Sequence, residues 1–284
     1  MSHSRRVLIT GSSGLIGARM AEAFAHGGWE VWGLDLIGSG PGRTLPVNLL
    51  EAEATRAAVK ELPAFEALVH LAGLVPEQPP RPPATFVSVN TTITENVVAA
   101  LGQRQPHFIF LSSVAVYGED RRFGPVAVGD GVRPATNYGL SKLRCEEMLL
   151  RSSLPHVDIL RVAAVFDENH LARARKRVFA PGLPIRLKLI PPARYSLCHL
   201  TSVVRKTLIL AERGPFGRHV HNVADDRPYD QHELLAWFQG PVLPLPVALT
   251  RPIYWLLRLT PGNKAYHWRC LYWKMFRSDL YALD

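Results

Sequence analysis

Continuous apolar runs alternate along this chain with stretches of helical period. Arg6 to Thr10 is a short apolar run, and Gly14 to His26 has the period of a helix. Trp29 to Leu34 is strand-like, Glu51 to Leu62 helical, and Ala67 to Leu71 strand-like again. A long helix is predicted over Pro83 to Gln103, an unbroken apolar strand over His107 to Ser112, and a helix over Thr136 to Ser152. His156 to Arg161 and His219 to Val223 complete the strands. Strands apolar at every position are buried on both faces, and the helices between them supply the crossovers. The pattern predicts an α/β fold with a doubly wound parallel sheet.

The order thins after Phe166. Ala180 to Ala193 holds four prolines and little periodicity, Leu200 to Arg213 reads as a helix returning to the sheet, and beyond Pro228 the chain is helical, aromatic and basic. The expected division is a nucleotide-binding domain over 1–166, rejoined by 200–227, and a small C-terminal substrate lobe from 167–199 and 228–284.

With 284 residues, 47% of them hydrophobic, the chain has enough apolar surface for a substantial core. Cys145, Cys198 and Cys270 are odd in number and lack metal-ligand spacing, so they read as reduced thiols of a reducing, cytoplasmic compartment. The basic start is followed by an apolar run broken by Gly11, Gly14 and Gly17, unlike a signal peptide, and Gly240 to Thr250 is too short to span a bilayer. His170, His199, His219 and His221 show no ligand spacing, and no metal is expected.

The candidate chemistry starts at Gly11-Ser12-Ser13-Gly14-Leu15-Ile16-Gly17, directly after the first strand and opening the first helix. Glycines there allow a tight turn, a close backbone approach to a pyrophosphate, and close packing of helix on strand. The helix N-terminus offers N–H groups to the phosphates. Asp35 closes the second strand, where an acid holds the ribose hydroxyls of NAD and repels the extra phosphate of NADP. Arg43, close in sequence, keeps NADP as the lesser alternative.

Tyr138 and Lys142 lie at i and i+4 of a predicted helix, on one face. A cation beside a phenol favours the phenolate, and such a tyrosine exchanges protons with a carbinol or carbonyl oxygen. Ser113, at the C-terminal end of a buried strand, is placed to donate to the oxygen that gains charge on hydride transfer, with Ser112 as the alternative.

Together these motifs resemble the extended short-chain dehydrogenase/reductase family of Rossmann proteins, in its NAD-dependent, nucleotide-sugar epimerase and reductase branch. The resemblance runs to about Ala224. It implies that Asn48 and Leu49 border the adenine, that His70-Leu71-Ala72-Gly73 lies under the cofactor, and that Asn90 is the family's central-helix Asn. It also implies catalytic roles for Ser113, Tyr138 and Lys142. The sequence departs from the family at Ala163-Ala164-Val165-Phe166-Asp167, where an Asn before Val-Tyr-Gly-Pro is usual, and at Thr201-Ser202, where an acid is usual. Val114-Ala115 replaces the Asp-Glu pair of a sugar dehydratase, and neither side chain moves a proton.

The expected function is therefore epimerisation or reduction of a nucleotide-linked sugar. Arg186 and Arg194 are the expected contacts to its diphosphate. A hydroxysteroid- or terpenoid-type alcohol dehydrogenase and a non-catalytic dinucleotide sensor are the competing readings. The net charge of +9 includes a basic, aromatic run over 251–277. That run reads either as a lid packed on the core or as a peripheral membrane contact. No nucleic-acid motif is present, and a homodimer is left open.

Overall fold

The computed structural model describes residues 5–76, 83–118, 124–260 and 262–283; within these, the side chains of 83–84, 263–267 and 270–271 are not described. The chain forms two compact units. The first gathers the described residues up to Ser113, with Asn137–Arg161 and Val204–His221. The second gathers those of Val114–Thr136, Val162–Val203 and Asn222–Asp284. The second unit thus takes in 114–136, a stretch that the sequence pattern grouped with the nucleotide-binding domain.

The first unit is built on β1 (Arg6–Thr10), α1 (Leu15–His26), β2 (Glu30–Asp35), β3 (Arg43–Pro46), α2 (Ala52–Glu61) and β4 (Ala67–His70). It continues with α3 (Pro83–Leu101), β5 (His107–Ser113), α4 (Asn137–Arg151) and β6 (Val157–Val162). With the later strand Arg218–Val223 outside β6, the seven-stranded sheet runs in the order Arg218–Val223, β6, β5, β4, β1, β2, β3. β1 pairs in parallel with β2 and β4, β2 with β3, and β4 with β5. The order reverses at β1, which leaves β1 and β4 at the switch point where open α/β sheets receive ligands.

Both faces of this sheet are dry, which is why its strands are apolar at successive positions. Leu8, Leu68 and Phe108 lie side by side in register, and with Leu34, Val97 and Ile159 they belong to one buried cluster. The alternate residues Val7, Ile9, Val69 and Ile109 are buried as completely. β3 escaped the sequence pattern: Arg43-Thr44-Leu45-Pro46 is short, polar and ends in proline, as an edge strand tolerates.

The second unit has its own core, including Phe166, Tyr195, Leu197 and Leu234. Its sheets are two-stranded. One pairs Arg186–Ile190 in parallel with Val242–Pro246, whose prolines at 244 and 246 hid it from the sequence pattern. The last residues are stitched into this unit. Val126 N–H donates to Leu280 O at 2.9 Å, and Ala282 N–H donates to Val126 O at 2.9 Å. Arg177 pairs with buried Asp279 at 3.1 Å.

Candidate active site

The turn after β1 is built around three glycines. Gly11 sits at φ +73°, a backbone region that disfavours side chains, and a Cβ there would meet Ala72 N at 2.9 Å. At Gly17 a Cβ would come within 2.0 Å of Gly11 O, so only glycine lets α1 lie against the turn. Gly14 N–H donates to Gly11 O at 3.2 Å and closes the turn. No side chain caps the start of α1, where Leu15 is exposed and Ile16 half-buried. Its first N–H groups and the positive end of its dipole are therefore available to a phosphate.

Asp35 stands beside this turn. Its carboxylate accepts from Ser13 N–H at 3.0 Å and from Ile37 N–H at 3.2 Å. Ser13 Oγ donates to Ile37 O and Ser39 O, tying the loop after β2 to the same place. Arg43 is directed elsewhere. Its guanidinium lies 5.1 Å over the Trp32 ring and 3.7 Å from Glu30. Glu30 is five residues back along β2, roughly 16 Å from Asp35 at the strand rise.

Asn48 closes the turn into α2. Its Oδ1 accepts from Leu50 N–H at 3.2 Å and its Nδ2 donates to Glu51 at 2.9 Å. Leu49 is buried, and its carbonyl accepts from Asn96 at 2.9 Å. At the end of β4, Thr10 Oγ1 receives the N–H groups of Leu71 and Ala72, both at 3.3 Å, and bonds His70 Nδ1 at 2.7 Å. The far nitrogen of His70 meets Thr94 Oγ1 at 3.1 Å, and that hydroxyl donates to Asn90 O at 2.8 Å. With Thr94 committed as a donor, His70 carries its proton on Nε2 and accepts from Thr10 on Nδ1. Burial, helped by the positive charge of Lys142, pushes His70 down to about 3, so the ring is neutral. The Thr10–His70–Thr94 chain was not visible as a motif, because its members are 60 and 24 residues apart.

Asn90 holds α3 to two neighbours. Its Oδ1 accepts from Leu74 N–H at 2.7 Å, and its Nδ2 donates to Ser141 Oγ of α4 at 2.9 Å. A Cβ at Gly73 would strike Asn90 Oδ1 at 2.9 Å, which accounts for the glycine following Leu71-Ala72. Asn90 thus fixes both the segment 72–74 and the helix that carries Tyr138 and Lys142.

Lys142 is buried, and its Nζ donates to Leu111 O of β5 at 2.8 Å, 4.7 Å above the Phe110 ring. Tyr138, one turn earlier on α4, is half-buried with Phe86 edge-on at 6.4 Å. Ser113 is the last residue of β5, two beyond Leu111. Ser112 shares the face of Phe110, toward α4. Its hydroxyl donates to the buried Glu146, whose carboxylate pairs with Arg161 at 2.8 Å. Ser112 thereby braces α4 against β5 and β6. The Glu146–Arg161 pair went unread because its partners lie on different elements.

Arg186 and Arg194 belong to the second unit. The guanidinium of Arg186, one of the two arginines expected at the diphosphate, bonds backbone carbonyls. It donates to Leu235 O at 2.8 Å, to Phe238 O at 2.5 Å and to Gly240 O at 3.0 Å. These carbonyls lie at and beyond the end of the helix Gln231–Ala236, where a cation complements the dipole. Arg194 has an exposed side chain, and its backbone N–H donates to Ser278 Oγ at 3.0 Å. Cys145 and Cys198 are free, buried thiols, and burial raises both above the usual thiol range. The Cys270 side chain lies outside the described residues.

A parallel sheet with its glycine-rich turn at the switch point, an acid closing β2, and a Tyr–Lys pair beside β5 defines a Rossmann-type, dinucleotide-binding fold. Residues 7–172, more than half of the chain, match the NAD dependent epimerase/dehydratase family, and the chain belongs to that family. It is 29% identical over 170 residues to methionine adenosyltransferase 2 subunit beta of Danio rerio, covering 58% of this chain and 49% of that protein. It is 28% identical over 161 residues to UDP-glucose 4-epimerase of Azospirillum brasilense, covering 54% and 46%. The chain thus spans about half the length of these relatives. A farnesyl-dihydroquinoline-oxide ketoreductase of Stigmatella aurantiaca is 26% identical over 251 residues, covering 81% of this chain and 71% of that one. Among solved structures, UDP-glucose 4-epimerase from Brucella ovis in complex with NAD shares the fold at TM-score 0.67 and 22% identity, over 85% of this chain and 86% of that one.

Proposed function

We propose that this protein binds NAD at the glycine-rich turn and interconverts a secondary alcohol and a ketone on a nucleotide-linked sugar, as a 4-epimerase or 4-ketoreductase. The observation that carries the reading is the Lys142 Nζ–Leu111 O hydrogen bond of 2.8 Å. It anchors a buried cation at the end of β5, one helical turn from Tyr138 and two residues from Ser113.

The turn and the start of α1 suit a pyrophosphate, because Gly11 and Gly17 leave backbone where a Cβ would collide and no side chain competes for the helix N–H groups. Asp35 is placed to accept from ribose hydroxyls while bonded to Ser13. Leu71, Ala72 and Gly73 form the wall fixed by Thr10 and Asn90. NAD, when bound, supplies or accepts the hydride. Tyr138 takes the hydroxyl proton of the substrate in oxidation and returns one in reduction. Lys142 sets a positive charge one helical turn from Tyr138, and Ser113 donates to the substrate oxygen as it gains charge. The Azospirillum relative is named for such a sugar substrate.

A second reading has its own support. The Stigmatella relative, named as a ketoreductase of a farnesylated quinoline, aligns over the largest share of the chain among these relatives. The cation expected at a diphosphate from Arg186 is spent on carbonyls, which suits an apolar substrate. A dinucleotide sensor is disfavoured by the intact Ser113, Tyr138 and Lys142.

The test is to incubate the purified protein with a panel of nucleotide sugars and follow nicotinamide reduction and sugar configuration. A 4-epimerase converts its sugar without added cofactor, and a reductase consumes reduced nicotinamide in proportion to product. Turnover of prenylated or steroidal ketones with none of the sugars would replace the first reading by the second.

A further inference from the structure

Between the helix Gln231–Ala236 and the end of the chain lie α8 (Arg251–Leu259, counting Ala172–Arg175 as α5, Leu200–Arg213 as α6 and Gln231–Ala236 as α7) and α9 (Asn263–Phe276). α8 has no buried residue. One of its sides rests on α9: the Tyr254 ring lies 5.1 Å from Tyr272 and 6.2 Å from Trp273, and Arg269 donates to Leu257 O at 2.8 Å. Tyr254 and Leu257 are accordingly its half-buried residues.

The opposite side is apolar and bare. Trp255 is 59% exposed, Leu256 66% and Leu259 80%. At roughly 100° per residue, Trp255, Leu259, Pro252 and Leu256 follow one another within about 100° of arc, with Ile253 next to them. Leu249, just before the helix, is 68% exposed. Arg251 and Arg258 border this face along one edge, and the Arg258 guanidinium lies 5.7 Å over the Trp255 ring. Single exposed leucines need no explanation, but a continuous helical face of large aliphatic and indole side chains does.

The charge says what covers it. No Asp or Glu occurs between Glu233 and Asp279, whereas Arg251, Arg258, Lys264, Arg269, Lys274 and Arg277 fall within that interval. A symmetric contact of this face with a second copy sets Arg251 and Arg258 against their own counterparts, with no carboxylate on α8 to neutralise them. An anionic lipid surface supplies the missing charge, and its headgroup boundary takes tryptophan, leucine and flanking arginines together. We propose that α8 docks on an anionic membrane surface, lying in the headgroup plane with Trp255, Leu256 and Leu259 inserted.

The experiment is flotation of the whole chain with vesicles of phosphatidylcholine alone or mixed with phosphatidylglycerol. The expected result is partitioning onto the anionic vesicles at least about tenfold stronger than onto the neutral ones. That fraction should fall steeply as salt is raised from about 0.05 M to about 0.5 M. The double variant Leu256→Ser/Leu259→Ser should lose at least about tenfold in partitioning with unchanged NAD affinity and unfolding midpoint. Wild-type protein that stays off anionic vesicles, or binds neutral ones equally, overturns the proposal, and so does a folded double variant that floats like wild type. If the wild type is dimeric by light scattering and the double variant monomeric, with neither floating, the face belongs to a second copy and the proposal is wrong.

Discussion

The backbone N–H of Ser13 donates to the carboxylate of Asp35 at 3.0 Å, so the phosphate-binding turn and the end of β2 are locked to each other. The acid that would select the ribose is thereby part of the turn that would hold the pyrophosphate. Neither residue is placed without the other.

Asp35→Ala removes both the acceptor for ribose hydroxyls and the brace on Ser13. NAD affinity should fall about tenfold or more, the scale of a hydrogen bond to a charged group. NADP should lose much less, because the repulsion of its extra phosphate disappears with the carboxylate. Titration of both cofactors by calorimetry measures this. Equal affinities in the wild type would show that Asp35 does not discriminate.

His70 links acid to stability. It titrates near 6.5 when unfolded and near 3 when folded, because burial disfavours its charged form. Between those values the unfolded chain binds more protons, so acid favours unfolding. The contribution of neutral His70 is complete above pH 6.5 and is lost as pH falls toward 3, at roughly 1.4 kcal/mol per unit. Urea unfolding of His70→Gln should show a shallower loss of stability across that window. An unchanged slope would mean that the ring is not buried neutral.

The two arginines of the second unit part company. Arg186→Ala strips three carbonyls at the end of α7 of their partner and should cost about 1–3 kcal/mol of stability, with KM little changed in the surviving enzyme. Arg194→Ala should leave stability within about 0.5 kcal/mol. It should raise KM for a nucleotide sugar more than it lowers kcat, since a diphosphate is held alike in ground and transition states. Thermal unfolding and steady-state kinetics separate the two, and an unaffected KM in Arg194→Ala favours the apolar substrate.

The sheet was legible because burial on both faces writes continuous apolar runs, as in Val7-Leu8-Ile9 and Phe108-Ile109-Phe110. Tyr138 and Lys142 were legible because helical spacing alone puts them on one face. What the chain did not announce is held by long-range pairs. Thr94 and Cys145, Asn90 and Ser141, and Glu146 and Arg161 meet only after α3, α4 and β6 pack. β3 and the strand Val242–Pro246 were missed because edge position relaxes the need for apolar alternation and admits proline. The carbonyl partners of Arg186 were not legible, because charge in a sequence does not say which carbonyls are near it.

The central claim is that Tyr138 moves the proton, and Tyr138→Phe tests it with the least disturbance, since only one oxygen is lost beside Phe86. Turnover of the identified substrate should fall by about two to four orders of magnitude, with NAD affinity and unfolding midpoint unchanged. Turnover within a few-fold of wild type in a folded, NAD-binding Tyr138→Phe protein would contradict the mechanism.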